Sequence, residues 1–387
     1  MNTQSIYLIF FILSLLFPFI SASQPQASPA QLTFPISLDK FKNPKITLSV
    51  GTPPQTFKFL LTTYSSKIYL LKSLDPLDNK SFKSELSSTY IQENITIPLN
   101  FLGEGTEGDF AYETIHFNLL QLKRFHFVEI INHKDYDFRV RGILGLDYLA
   151  KASDRDNKSP FTFSFLTQLF EQGFLTDQMF IIGKFLTDYK DDYGNNVNTF
   201  IRFGHLPDNF SKNEKNYRKV VSLIKFDDKN QYTALWKTNL HSIVFDNGEA
   251  ALINEEIVFG ISMGYLTVSL EFFSKYIEEM YFGSHINSKM CKVLQEEYNR
   301  YILCYNEFDE SQIPELRIVF GKWSIKIKRK NLWIYDVLED QKLFRIIYHK
   351  EKKYTWSFNY SLIEDEYSMV FDRAKGQVAF VLNSDLI

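Results

Sequence analysis

Residues 46–70, ITLSVGTPPQTFKFLLTTYSSKIYL, constrain the fold of this chain more than any other stretch. Ile46, Leu48 and Val50 alternate with polar residues, Gly51-Thr52-Pro53-Pro54 interrupts the run, and Phe57, Phe59 and Leu61 alternate again beyond it. A period of two sets one face of a strand on a core, and Gly with Pro marks a turn. The stretch therefore predicts a β-hairpin whose strands are each half buried. The second strand runs into a polar loop, Thr62-Thr63-Tyr64-Ser65-Ser66, and then into the apolar Ile68-Tyr69-Leu70.

A chain of 387 residues, 45% hydrophobic, has room for two domains of ordinary size and a substantial core. With 16 Gly and 12 Pro among 37 Phe, its composition excludes collagen-like and low-complexity structure. The net charge is −3 and the basic residues are scattered, so no nucleic-acid partner is expected.

Residues 1–23 open almost uncharged, carry an apolar run over 6–20 and end in Ser21-Ala22-Ser23, as a cleavable signal peptide does. The run is shorter than the ~20 residues of a membrane span. An uncleaved anchor is the alternative. The mature chain is expected in the lumen of the secretory or vacuolar pathway or outside the cell, with no stable membrane insertion. Sequons at Asn79, Asn94, Asn157, Asn209 and Asn359 agree with that route. The only cysteines, Cys291 and Cys304, would pair in an oxidising compartment; two buried free thiols are the alternative.

The order GTPPQ, alternating strand, five-residue loop and apolar strand resembles the pepsin-like aspartic peptidases. In that family GTPPQ and an F-x-V-x-F strand lead to the catalytic D-T-G-S-S. Other stretches carry the same resemblance. Residues 95–117 resemble the flap hairpin, with Phe101 at the flap tyrosine and Gly103, Gly105 and Gly108 in its turn; 141–146 resemble D-G-I-L-G-L. Residues 257–269 resemble the second catalytic strand, and Tyr367-Ser368-Met369-Val370-Phe371-Asp372 resembles the closing Y-Y-T-V-F-D.

The resemblance implies an all-β, mainly antiparallel, bilobal fold with a few short helices and a central cleft. It divides the chain into a short extension over 24–44, an N-terminal lobe over 45–190 and a C-terminal lobe over 191–387, with the polar stretch 188–198 as linker. Two helices are expected: one over Phe165, Leu166, Leu169 and Phe170 stopped by Gly173, and one capped by Ser269 with Phe273, Ile277 and Met280 on one face. A longer basic propeptide over the cleft is expected of the family and is not evident in 24–44.

The family's chemistry needs two carboxylates that share one proton, one activating a water and the other polarising the scissile carbonyl. At their positions stand Thr62 and Gly260, or Phe259 if the second alignment shifts by one. Tyr64 replaces a glycine, and of two residues that brace the loops Thr63 remains while Ile261 replaces the other. The expected cleft and flap residues are therefore Thr63, Tyr64, Ser65, Phe101, Gly103, Ile261 and Ser262. Asp109, Glu104 and Asp147 are the carboxylates that could instead have moved in. No G-x-S-x-G, H-E-x-x-H or P-loop occurs, so neither metal nor cofactor is expected, and His116 reads as a surface or core histidine. The expected function is a catalytically silent, monomeric, secreted member that binds an extended peptide or protein segment. The alternatives are an active endopeptidase with an atypical dyad and a stored secretory glycoprotein.

Overall fold

The computed structural model describes residues 32–39, 42–65, 67–73, 81–99, 105–117, 120–132, 141–147, 164–190, 196–204, 219–222, 236–262, 264–296, 298–336, 339–350 and 355–385. The first strands are β1 (Leu32–Leu38), β2 (Pro44–Val50), β3 (Gln55–Thr62), β4 (Ile68–Leu71), β5 (Ile91–Pro98), β6 (Glu107–Phe117), β7 (Leu120–Asn132) and β8 (Gly142–Gly145). Helix α1 (Phe165–Glu171) precedes the hairpin of β9 (Met179–Lys190) and β10 (Asn196–Phe203). Then come β11 (Lys219–Ser222), β12 (Lys237–Phe245), β13 (Ala250–Gly260), β14 (Leu266–Val268), β15 (Cys291–Gln295), β16 (Asn299–Tyr305), β17 (Leu316–Phe320) and β18 (Trp323–Ile327). The last are β19 (Trp333–Asp336), β20 (Gln341–Phe344), β21 (Ile346–His349), β22 (Trp356–Asn359), β23 (Tyr367–Asp372) and β24 (Gln377–Leu382). The described residues are thus mostly β with few short helices, as expected.

The opening hairpin forms as the alternation requires. Ile46 faces Phe59 and Leu48 faces Phe57 across β2 and β3, and all four, with Val50 and Leu61, are buried. Gly51 at the turn has φ +92°, a left-handed conformation that suits glycine.

Among the described residues, one sheet of 13 strands runs β11-β24-β23-β9-β10-β1-β2-β3-β8-β4-β7-β6-β5, and a second of 11 strands is built from β12 to β22. The first joins the two ends of the chain, since β1 and β23 flank the β9–β10 hairpin. Two expectations change here. Within the expected extension, residues 32–38 form a strand whose Leu32, Phe34 and Ile36 point into the core with a period of two. The expected linker 188–198 has strand at both ends, because β9 runs to Lys190 and β10 starts at Asn196.

The pairing pattern occurs twice. In the first half β2 is antiparallel to β3, β3 parallel to β8, β8 antiparallel to β4 and β4 parallel to β7. In the second, β12, β13, β22, β14 and β21 repeat those relations in the same order. Aromatic rings join the halves: Trp236 stands edge-on to Phe371 at 5.1 Å and to Phe180 at 5.9 Å.

The expected cap at Ser269 forms, its Oγ accepting from the Phe272 N–H, and Ser164, not singled out in the sequence, caps α1 by accepting from the Thr167 N–H. Met280, expected inward, is 43% exposed. From Phe273 the helix widens to π-type spacing, and the Phe282 N–H reaches back five residues to the Ile277 carbonyl. From Phe273 on, the buried apolar positions become 273, 277 and 282, so a period of 3.6 misplaces the last one. The Cys291–Cys304 disulfide forms between directly opposed residues of β15 and β16.

Candidate functional site

The duplicated pairing singles out two strand ends. Thr62, last in β3, is in register with Gly145, last in β8. Gly260, last in β13, is in register with Asn359, last in β22. Gly260 is therefore the topological counterpart of Thr62, while Phe259 is committed to the core against Phe320, Phe380 and Phe358.

The first loop is fixed from below. The Leu146 N–H donates to the Thr62 carbonyl at 2.7 Å, the Asp147 N–H to that of Ser65 at 2.9 Å and the Gly145 N–H to that of Lys67 at 3.0 Å. This fit needs glycine at 145, where a Cβ would lie 2.3 Å from the Ser65 carbonyl oxygen. Within the loop the Tyr64 N–H donates to Thr62 Oγ1 and the Lys67 N–H to Ser65 Oγ, each at 3.1 Å.

Contacts among the described residues join this loop, and Leu146 just after β8 beneath it, to the second half. Thr63, fully buried, donates its hydroxyl to the Phe259 carbonyl at 3.0 Å. Ser262 Oγ donates to Thr62 Oγ1 at 3.0 Å. Trp236 receives the Phe259 N–H at its carbonyl and donates its indole N–H to the Leu146 carbonyl at 3.0 Å. Ile261 is buried and offers no hydroxyl, so of the two expected braces one is made and the Ser262 bond supplies a different one.

Tyr64 makes the closest approach. A Cβ added to Gly260 would lie 2.6 Å from the Tyr64 hydroxyl and 2.3 Å from Asn359 Oδ1. Burial raises the pKa of that hydroxyl, with hydrogen bonding to Ser357 and Asn359 acting the other way, so the phenol stays neutral. Asn359 is itself fully buried and donates its amide to the Tyr265 carbonyl at 2.6 Å, while Ser357 is bonded to Thr267. The groups that meet here are hydroxyls, amides and carbonyls. Such a set can position a bound backbone by hydrogen bonding; it has no member that gains or loses a proton in the ordinary pH range.

The other candidates stand apart. Asp109 is engaged by Gln92 at 2.6 Å and Thr96 at 2.5 Å on the outer strand β5. Asp147 is buried beneath the first loop, tied to Ser65 through its backbone. His116, in β6, is hydrogen-bonded to the Gly51 carbonyl of the hairpin turn at 2.8 Å. Phe101, Gly103, Glu104, Asn79, Asn157, Asn209 and residues 1–23 lie outside the described residues. The sequon at Asn359 needs correction, because a side chain with no exposure and an amide already bonded leaves no room for a glycan in the folded chain.

Sequence reasoning missed Asn359 and Trp236. For Asn359 a signal exists: if the fold is duplicated, a counterpart of the Gly142-to-Gly145 strand must precede the closing strand. Ser357-Phe358-Asn359 stands there with an amide where glycine ends the first copy. Nothing local marks Trp236.

A pocket of about 390 Å³ opens elsewhere, beside the disulfide, among Ile286, Lys289, Lys292, Val293 and Tyr305. The duplicated strand ends, not cavity size, locate the candidate site. Among the described residues no group of three or more His, Cys, Asp or Glu could hold a metal, and no helix is long and apolar enough to cross a membrane.

Comparison with known proteins gives a consistent picture. The family model for eukaryotic aspartyl protease matches residues 45–382. The chain is similar to vacuolar protease A of Arthroderma otae, 22% identical over 65% of this chain and 60% of that protein. It is similar to probable vacuolar protease A of Arthroderma benhamiae, 25% identical over 43% of this chain and 42% of that one. A third relative, probable vacuolar protease A of Trichophyton verrucosum, is 23% identical over 58% of this chain and 53% of its own length. The matched stretch thus spans less than two thirds of each relative.

Proposed function

This chain belongs to the eukaryotic aspartyl protease family, and we propose that it is a catalytically silent member that keeps the groove between its halves to bind an extended peptide or protein segment. One observation carries the reading: Thr62 and Gly260 end the two equivalent strands, where the family's mechanism requires a pair of carboxylates. A threonine hydroxyl cannot serve as the base at neutral or acid pH, and glycine has no group to offer.

The surroundings support the same reading. Where two acids would hold a water between them, Ser262 bonds directly to Thr62, and Tyr64 with Asn359 fills the space beside Gly260. Tyr64 is part exposed with its hydroxyl buried, so its ring can floor a groove in which peptide backbone lies. The names of the relatives speak for peptide as the ligand class and for a lumen of the vacuolar or secretory route as the site of action.

The test is binding and turnover together. A fluorescent library of extended peptides is titrated into the purified mature chain while intact peptide mass is followed. Saturable binding with no new fragments supports the groove. Cleavage would identify an active enzyme, and neither binding nor cleavage would favour a stored glycoprotein.

A further inference from the structure

We infer that Asn94 carries an N-linked oligosaccharide whose role is to cap the open edge of the larger sheet. Among the described residues, strand β5 is last in that sheet and pairs only with β6. An edge strand leaves backbone donors and acceptors open to pairing with another chain. The hazard is increased here by two apolar side chains on the same strand, Ile91 at 49% and Ile95 at 40% exposure.

The strand presents its sequon in a built projection. Gln92 is in register with Ala111 and Thr96 with Asp109, so three residues, 93–95, bulge out where the partner strand has one. Asp109 pins both feet of the bulge, accepting from Gln92 Nε2 at 2.6 Å and Thr96 Oγ1 at 2.5 Å. Glu93 is held by His126 at 3.1 Å. At the tip Asn94 is exposed with φ 56°, a left-handed conformation that asparagine tolerates. Asn94-Ile95-Thr96 is the acceptor sequence, and a sugar chain on Asn94 would stand over Ile95 and the unpaired edge.

Asn359, the other sequon among the described residues, is buried beneath the candidate site. A chain glycosylated there before folding could not close its core, so the folded protein should be bare at Asn359.

The step is an ordinary group transfer from a lipid pyrophosphate-linked oligosaccharide. A bond forms between Asn94 Nδ2 and C1 of the first sugar, the bond from C1 to the phosphate oxygen breaks, the lipid pyrophosphate leaves and the amide loses one proton to a base. The inference rests on the secretory route read from residues 1–23 and not on catalytic silence.

The experiment expresses the full chain in a eukaryotic secretory host and measures occupancy at each sequon by peptide mass spectrometry after enzymatic release of N-glycans. Asn94 occupied and Asn359 bare is the expected result. Asn94 bare while another sequon is occupied overturns this inference alone; every sequon bare overturns the secretory route as well. The capping role is read by sedimentation of Asn94→Gly, which removes the acceptor and keeps the left-handed φ. Larger species should form with N94G and disappear again in N94G combined with Ile95→Lys. An N94G chain that sediments as a monomer, like the glycosylated protein, overturns the capping role.

Discussion

The Tyr64 hydroxyl sits 2.6 Å from the point that a Cβ on Gly260 would occupy, so a side chain from the first loop fills the space that belongs to the second. The dependence runs one way: a side chain at 260 requires both Tyr64 and Asn359 to give way.

Placing acids at both strand ends should not by itself produce turnover. In Thr62→Asp, Gly260→Asp the new Cβ meets Asn359 Oδ1 at 2.3 Å and the Tyr64 hydroxyl at 2.6 Å. Overpacking of this kind costs about 1–3 kcal/mol. The double variant should unfold at lower urea concentration than the natural chain and cleave nothing. Adding Tyr64→Gly and Asn359→Gly clears both contacts but gives up the buried Asn359 bond to the Tyr265 carbonyl, so the fourfold variant should show measurable cleavage without regaining the natural chain's stability. Peptide mass spectrometry and urea titration check both parts.

The contact between the loops should be measurable as stability. Thr63→Val removes the donor to the Phe259 carbonyl, a fully buried bond, and leaves that carbonyl with one partner fewer at a cost of about 1–3 kcal/mol. Ser262→Ala removes a single hydroxyl–hydroxyl bond to Thr62 and should cost about 1 kcal/mol. A double-mutant cycle of Ser262→Ala with Thr62→Val should show positive coupling; additive effects would mean that the bond contributes nothing.

Arg345 should be among the least replaceable side chains. It is buried and donates to the carbonyls of Gly264, Asn331 and Ser361 and to the Ser361 hydroxyl. Burial brings its pKa down to about 10, so it stays charged at any physiological pH. Arg345→Met keeps much of the volume and leaves three carbonyls short of a donor. At about 1–3 kcal/mol for each unsatisfied group the loss should exceed about 3 kcal/mol. Because one of those carbonyls is Gly264, hydrogen exchange should accelerate first in the loop after Gly260.

Acid should act on the turn at Asp365. Burial alone would raise the pKa of Asp365, but hydrogen bonds and charge from Lys184 and Lys330 outweigh it and hold the group at about 2. A carboxylate depressed from the ordinary ~3.9 contributes stability that is complete above that value and lost as pH falls towards the folded pKa. Urea midpoints of the natural chain should therefore drop between about pH 4 and pH 2, and Asp365→Asn should flatten the drop in that window. An unchanged slope in the variant would remove Asp365 from the account. His126 works in a higher range: burial lowers its pKa despite Glu93. Protonation then favours the unfolded chain, and stability falls as pH drops below the ordinary ~6.5.

Much of this was legible in the sequence because it rests on short-range pattern. The period of two in 46–61 and the capping serine at 269 each have a local physical cause, and each appears in the structure. What the sequence concealed depends on partners distant along the chain. Residues 32–38 become a strand only because Phe203 and its neighbours lie beside them, and Met280 turns outward only because the helix widens ahead of it. Asn359 reads as a sequon until its register partner, Gly260, is known.

The central claim is tested most directly by incubating the natural mature chain with a denatured protein and a mixed peptide library from about pH 3 to pH 7, the range over which a carboxylate dyad titrates. Fragments are counted with and without a transition-state inhibitor of aspartic peptidases. Fragment yields equal to the blank at every pH are the predicted result. Cleavage that the inhibitor abolishes would show that a working pair of carboxylates exists in this chain, and catalytic silence would have to be given up.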